Sequence, residues 1–147
     1  MVTVVTERAL LPAGVEEVWD LLADVPRMLA LDTMIESYEP EHGALEEGTL
    51  NRVTSRIGLL RLRMTTRTET LERPHRAVFV SVSPRRPVQV RVEDTLSSAG
   101  SGTLYTVRLT VEPTGVVGRL LAPLVARLMG RSRRRLMRRL ADVFRPD

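Results

Sequence analysis

Val2–Leu10 opens the chain as a run dominated by Val and Thr, the composition of a β-strand. Pro12-Ala13-Gly14 interrupts it. Val15, Val18, Trp19 and Leu22 then fall at i, i+3, i+4 and i+7, one apolar face of a short helix. Glu16 and Glu17 occupy its first turn, where the helix dipole favours negative charge. Asp24 is placed to cap a second short helix, with Pro26 early in it and Met28-Leu29-Ala30-Leu31 following. Two helices so arranged close one end of a sheet.

From Ile35 to Val111 the pattern is strand after strand. Ile35–Glu39 is short, and His42-Gly43 and Glu47-Gly48 bracket a loop. Thr49–Ile57 follows, broken at Gly58. Leu60, Leu62, Met64, Thr66 and Thr68 alternate with Arg61, Arg63, Thr65, Arg67 and Glu69, which puts the two sets on opposite faces of a strand. Arg73-Pro74-His75-Arg76 turns the chain into Ala77–Ser83, and Pro84-Arg85-Arg86-Pro87 turns it again. Val88, Val90 and Val92 then alternate with Gln89, Arg91 and Glu93. After a turn at residues 98–102, Tyr105, Val107, Leu109 and Val111 alternate with Thr106, Arg108 and Thr110. One face is apolar and the other is Arg, Glu and Thr, as in an antiparallel sheet with one wet side. The outer Arg residues read as cross-strand charges in solvent.

Past Glu112-Pro113-Thr114-Gly115, Val116 to Phe144 reads as one long helix. We assign its apolar stripe to Val117, Leu120, Leu121, Leu124, Val125, Leu128, Leu136, Leu140 and Val143, with Arg mostly on the other faces. Pro123 is expected to kink the helix or end a preliminary turn near Leu120. The stripe has one available partner, the apolar side of the sheet. The whole chain, 1–147, therefore reads as a single α+β domain.

Composition narrows the chemistry. The 147 residues include no Cys, so disulfides, thiolate metal sites and thiol nucleophiles are excluded. The opening residues lack a positive n-region and a long apolar core, so no signal peptide is expected. No stretch approaches the length of an uncharged apolar span. A cytoplasmic protein is the default. All 22 basic residues are Arg, and residues 119–147 hold nine of them against two Asp. Such a basic segment suits nucleic acid, an anionic membrane or simply solvent. Arg131-Ser132-Arg133-Arg134-Arg135-Leu136-Met137-Arg138-Arg139 lacks interleaved aromatics and any nucleic-acid reader motif, so no nucleic acid is expected. We read the run first as a solvated helix face, and next as a weak contact through Arg131–Arg139 with anionic membrane or with an anionic ligand head group.

The order strand, two short helices, six strands, long helix resembles the START/polyketide cyclase-like (SRPBCC) superfamily, of the polyketide cyclase/dehydrase and lipid transport type. Leu10 to Asp24 looks like that superfamily's first strand running into its Val-Trp helix. Gly48-Thr49, Glu72-Arg73-Pro74-His75-Arg76 and Gly102-Thr103-Leu104-Tyr105-Thr106-Val107 look like three further local patterns. The chain departs at Leu31-Asp32 and Val107, where members often carry Trp. The resemblance implies a helix-grip fold: a seven-stranded curved antiparallel sheet around the C-terminal helix, with the two short helices between strands 1 and 2. It also implies a cavity for a lipid, polyketide or isoprenoid-like ligand, held as carrier or sensor and more aliphatic here than usual. The alternatives are a polyketide cyclase or dehydratase and a peripheral membrane lipid-handling protein using the Arg-rich helix.

For ligand lining we select Leu62, Met64, Thr66, Thr68, Phe79, Val90, Val92, Tyr105, Val107, Leu121, Leu124, Val125 and Leu128. The inward polar positions are Asn51, Ser55, Thr66, Thr68, Asp94 and Tyr105. Asp94 shares the phase of the Val88–Val92 side chains and, with Tyr105, is the candidate acid or base. The plainer reading, which we prefer, puts Asp94 at the mouth, capping a turn or pairing with an Arg. Trp19 reads as packing rather than ligand stacking. His42 and His75 fall in loops without spaced partners, so no metal is expected. No cofactor is expected, and the chain reads as a monomer or weak dimer without assured catalysis.

Overall fold

A computed structural model describes residues 2–57, 59–82 and 86–146, the side chains of Ile57 and Leu60 excepted. The break at Gly58 and the turn at Pro84-Arg85, with Ser83, lie outside the described residues. In chain order the elements are β1 (Thr3–Leu11), α1 (Val15–Ala23), α2 (Val25–Leu31), β2 (Ile35–Pro40), β3 (Leu50–Ile57), β4 (Leu60–Glu72), β5 (Arg76–Ser81), β6 (Val88–Ala99), β7 (Gly102–Pro113) and α3 (Gly115–Phe144). The strands form one seven-stranded antiparallel sheet in the order β1-β7-β6-β5-β4-β3-β2. This is the helix-grip arrangement.

The period-2 pattern sets which face is buried. Along β7, Thr103, Tyr105, Val107, Leu109 and Val111 are buried while their neighbours are not. On β4, Arg61, Arg63, Arg67 and Glu69 are exposed. The outer charges pair across strands as expected: Arg61 with Glu36 at 3.1 Å, Arg91 with Glu69 at 3.0 Å, and Arg76 with Glu93 at 2.7 Å. Such exposed pairs contribute little stability each, and they mainly set the polarity of that face.

Two bulges change the inward phase. The β4–β5 register shifts between Thr68 and Thr70, so Thr68 and Leu71, three apart, both turn inward. The β2–β3 register shifts between Ile35 and Ser37, and Ile35 and Tyr38 likewise share the inner face. α1 packs Val18, Trp19 and Leu21 against β6 and β7, and α2 lies on β2 and α3. Asp24 caps α2 by accepting the Arg27 N–H at 3.3 Å.

α3 corrects the sequence reading chiefly in its first half, and again at Val143. Val117, Leu120, Leu124 and Val143 are exposed, Leu120 to 77%. The buried line is instead Gly118, Ala122, Ala126 and Gly130, four residues apart, joined by Ser132, Leu136, Met137 and Leu140. Close approach explains it. A Cβ on Gly118 would run into the Pro87 carbonyl oxygen and stand 3.3 Å from Pro113 Cα, so no larger residue fits there. A helix so near a sheet docks through small side chains, and its large ones are displaced outward. Pro123 does not end the helix. It is on the exposed side.

Candidate functional site

α3 packs chiefly on β1 and β7, with lesser contact to β6. It therefore covers one flank of the curved sheet and leaves the inner faces of β2 to β5 uncovered by α3. The space that remains is a partly open cavity of about 140 Å3. Leu62, Met64, Phe79, Val90 and Val92 line its sheet side, and Val125 and Met129 line its α3 side. α1 and α2 close it with Trp19, Leu22, Val25 and Met28. Trp19 thus packs in the core as expected and also shows part of its ring to the cavity.

Of the lining residues selected from sequence, Leu62, Met64, Thr66, Phe79, Val90, Val92, Tyr105 and Val125 face the cavity. Thr68, Val107, Leu121, Leu124 and Leu128 do not. Thr68 is fully buried and accepts the Asn51 amide N–H at 2.9 Å. Val107 is fully buried on β7, the strand that α3 covers. Leu124 is 51% exposed on the outer side of α3, and Leu121 and Leu128 flank that side half-buried. Asn51 also donates to Thr66 at 3.3 Å, while its own Oδ1 finds no partner among the described residues.

The polar end of the cavity is built from Asp94, Tyr105, Tyr38, Asp32 and Arg133. Asp94 on β6 and Tyr105 on β7 lie on adjacent strands with inward side chains. The Tyr105 hydroxyl donates to Asp94 Oδ1 at 3.0 Å, and Tyr105 is fully buried. Among the described residues Asp94 makes no turn cap and no direct ion pair, although Arg133 acts on its charge as the plainer reading expected of an Arg partner. Burial raises the Asp94 carboxyl above its ordinary value, against the lowering influence of Arg133 and of the Tyr105 hydrogen bond. Burial likewise pushes the Tyr105 phenol well up, and the Tyr38 phenol to about 12. Both phenols therefore remain O–H donors at neutral pH. Asp32 caps the chain entering β2: its Oδ1 accepts the N–H of Met34 at 2.9 Å and of Ile35 at 3.2 Å, with the Ser132 hydroxyl at 3.5 Å.

Arg133 is a lining side chain that the sequence reading did not single out. It sits in the run assigned to solvent, yet its side chain lines the cavity. The run does not form one face. Arg134 pairs with Glu7 at 3.2 Å, Arg139 donates to the Leu31 carbonyl at 3.1 Å, and Arg131, Arg135 and Arg138 are exposed. The signal was phase: Met129, Arg133, Leu136 and Leu140 stand at i, i+4, i+7 and i+11, so Arg133 shares the face of the buried Leu residues. Burial disfavours the Arg133 charge, but Tyr105, Asp94, Asp32 and Tyr38 outweigh it and raise the pKa.

The two His residues stay outside. His42 is exposed beside Glu46, and His75 Nδ1 lies 3.1 Å from the Leu96 carbonyl. Among the described residues no group of three His, Cys, Asp or Glu side chains converges as a metal site would require. No helix among them is long and apolar enough to cross a membrane.

A family model described as polyketide cyclase/dehydrase and lipid transport matches residues 1–145. The chain belongs to this family. Among curated proteins, none matches the sequence. TTHA0849 from Thermus thermophilus is similar in structure, with a TM-score of 0.77, 25% identity and 95% of each chain covered. The Zhui aromatase/cyclase from Streptomyces sp. R1128 superposes with a TM-score of 0.80 at 14% identity, covering 99% of this chain and 97% of that one. The di-domain aromatase/cyclase StfQ of the steffimycin pathway matches with a TM-score of 0.78 at 10% identity, over 97% of this chain and 50% of its own. At such identities the last two establish the shared fold of the polyketide cyclase/dehydrase family, and nothing about chemistry.

Proposed function

We propose that this protein binds a small hydrophobic ligand between its sheet and α3, as a carrier or sensor. The observation that carries the proposal is the cavity of about 140 Å3, walled mainly by Leu, Val, Met and Phe. Its size is near that of the roughly 150 Å3 apolar cavity that admits benzene, and below the roughly 300–1,000 Å3 of pockets for drug-sized ligands. The enclosed part of the ligand is then one ring or a short chain, and a longer lipid or polyketide would extend through the open side.

Native mass spectrometry of the purified protein and titration with a polarity-sensitive dye test this. A co-purifying apolar mass, or dye binding lost in a cavity-filling Val92→Trp variant of unchanged near-UV circular dichroism, supports it. Dye binding equal in both proteins would place the ligand elsewhere and remove the proposal.

A cyclase or dehydratase-type activity is the second reading, favoured by the hydrogen-bonded Asp94–Tyr105 pair inside the cavity. A carboxyl raised by burial holds its proton better than an ordinary one, as a general acid must. Asp94→Asn should then abolish turnover of a polyketide-like substrate, and full activity in that variant would remove this reading.

The proposal extends to weak contact with an anionic membrane. Val116, Leu120 and Leu124 continue along one outward line of α3 into Arg127, Arg131, Arg135 and Arg138, all exposed. Apolar groups beside unneutralised guanidinium groups complement an anionic bilayer surface.

A further inference from the structure

Arg133 brings a guanidinium to the cavity but spends none of its donors on the protein: it makes no hydrogen bond or ion pair with another described residue. A guanidinium offers five N–H donors in a planar fork, and leaving them unused away from bulk water is costly. The neighbouring carboxylates stabilise the Arg133 charge without a recorded hydrogen bond or ion pair to it, and one oxygen of each is engaged elsewhere. Asp94 Oδ1 takes the Tyr105 hydroxyl, and Asp32 Oδ1 takes two backbone N–H groups of the turn into β2 together with Ser132. The remaining polar group at this end, Tyr38, adds a second hydroxyl on the same wall. Opposite lies an apolar wall, Leu62, Met64, Phe79, Val90 and Val92. The cavity is therefore amphipathic: oily along the sheet, with an unspent cationic fork where α3 borders it.

Resting on the cavity reading above, we infer that the ligand is an apolar chain or ring ending in a carboxylate, whose two oxygens are held by the Arg133 guanidinium. A carboxylate matches the fork in geometry and charge, which a hydroxyl does not and a ketone does only in part. The apolar remainder lies along β4, β5 and β6. The ligand class is thus a short monocarboxylic acid, or a longer one whose tail leaves through the open side.

The test is calorimetric titration of the purified protein with hexanoate, 1-hexanol and 2-hexanone, repeated on Arg133→Met and Arg133→Lys. Hexanoate should bind wild type at least ten-fold tighter than either neutral probe. In Arg133→Met that preference should vanish, hexanoate losing far more affinity than 1-hexanol, and an unchanged near-UV circular dichroism spectrum shows that the variant is folded. Arg133→Lys, which keeps charge but not the fork, should retain an intermediate preference, and it serves alone should the Met variant not fold. Equal wild-type affinity for hexanoate and 2-hexanone overturns the inference and leaves the cavity reading intact. Failure of all three probes to bind wild type overturns both.

Discussion

Replacing Tyr105 by Phe keeps the ring in its fully buried position and removes one hydroxyl, the donor to Asp94 Oδ1 at 3.0 Å. Packing is unchanged, so the loss reports the hydrogen bond. Its size depends on the charge of Asp94. A bond between neutral groups contributes about 1 kcal/mol, and one to a carboxylate about 2. Burial raises the Asp94 carboxyl, so the folded protein holds that proton more tightly than the unfolded chain does. Stability from this group is accordingly complete below the usual carboxylate range and falls as pH rises through the Asp94 titration. The Tyr105 hydroxyl opposes the fall, because it donates to the charged form. The variant should therefore lose about 1 kcal/mol in acid and about 2 kcal/mol above the titration. For a domain of this size the larger loss lowers Tm by about 4–8 °C. Urea unfolding of both proteins at several pH values measures it. A variant as stable as wild type, or one whose deficit does not grow with pH, would refute the placement of that hydroxyl on Asp94.

Gly118→Ala should destabilise by about 1–3 kcal/mol, although Ala is the better helix former by about 1 kcal/mol, because its Cβ meets the backbone of Pro87. Gly130→Ala meets only the Val5 Cγ1 methyl, at 3.0 Å, and should stay within about 1 kcal/mol of wild type, so thermal unfolding of the pair separates contact from propensity. Thr103→Val keeps the shape but strips the buried hydroxyl that donates to the Ala13 carbonyl at 2.7 Å, and should cost about 1–3 kcal/mol in urea unfolding. Leu120→Glu with Leu124→Glu should abolish flotation with vesicles containing phosphatidylserine while leaving Tm nearly unchanged; undiminished flotation would clear the outward side of α3 of any membrane role.

The sheet was legible because its signal has period 2 and each strand repeats it: Val88, Val90 and Val92 are all buried, as their alternation requires. The bulges were not legible. Nothing in Thr68-Glu69-Thr70-Leu71 distinguishes a strand that keeps its phase from one that shifts it, so Leu71, like Ile35 and Tyr38, was missed as lining. On α3 the large apolar residues outweighed the small ones in the sequence reading. How near a helix approaches a sheet is a tertiary fact, and only that distance makes Gly118, Ala122 and Ala126 the buried set. Arg133 was hidden by its basic neighbours, although it shares the phase of Leu136 and Leu140, which the stripe placed correctly. The Asp94–Tyr105 bond was half legible: both residues carry inward phase, but their cross-strand neighbourhood depends on the β6–β7 register, in which Leu96 opposes Tyr105 and Asp94 opposes Val107.

Three consecutive arginines, Arg133, Arg134 and Arg135, offer three guanidinium groups at successive rotations of about 100° around one axis. The indexing that sends the first inward belongs to Leu136 and Leu140, fully buried behind it. Deleting one residue ahead of the run would present a different arginine to the interior without changing the chemistry on offer there, but the leucines would lose their seats. The two leucines therefore fix which of the three arginines faces the cavity.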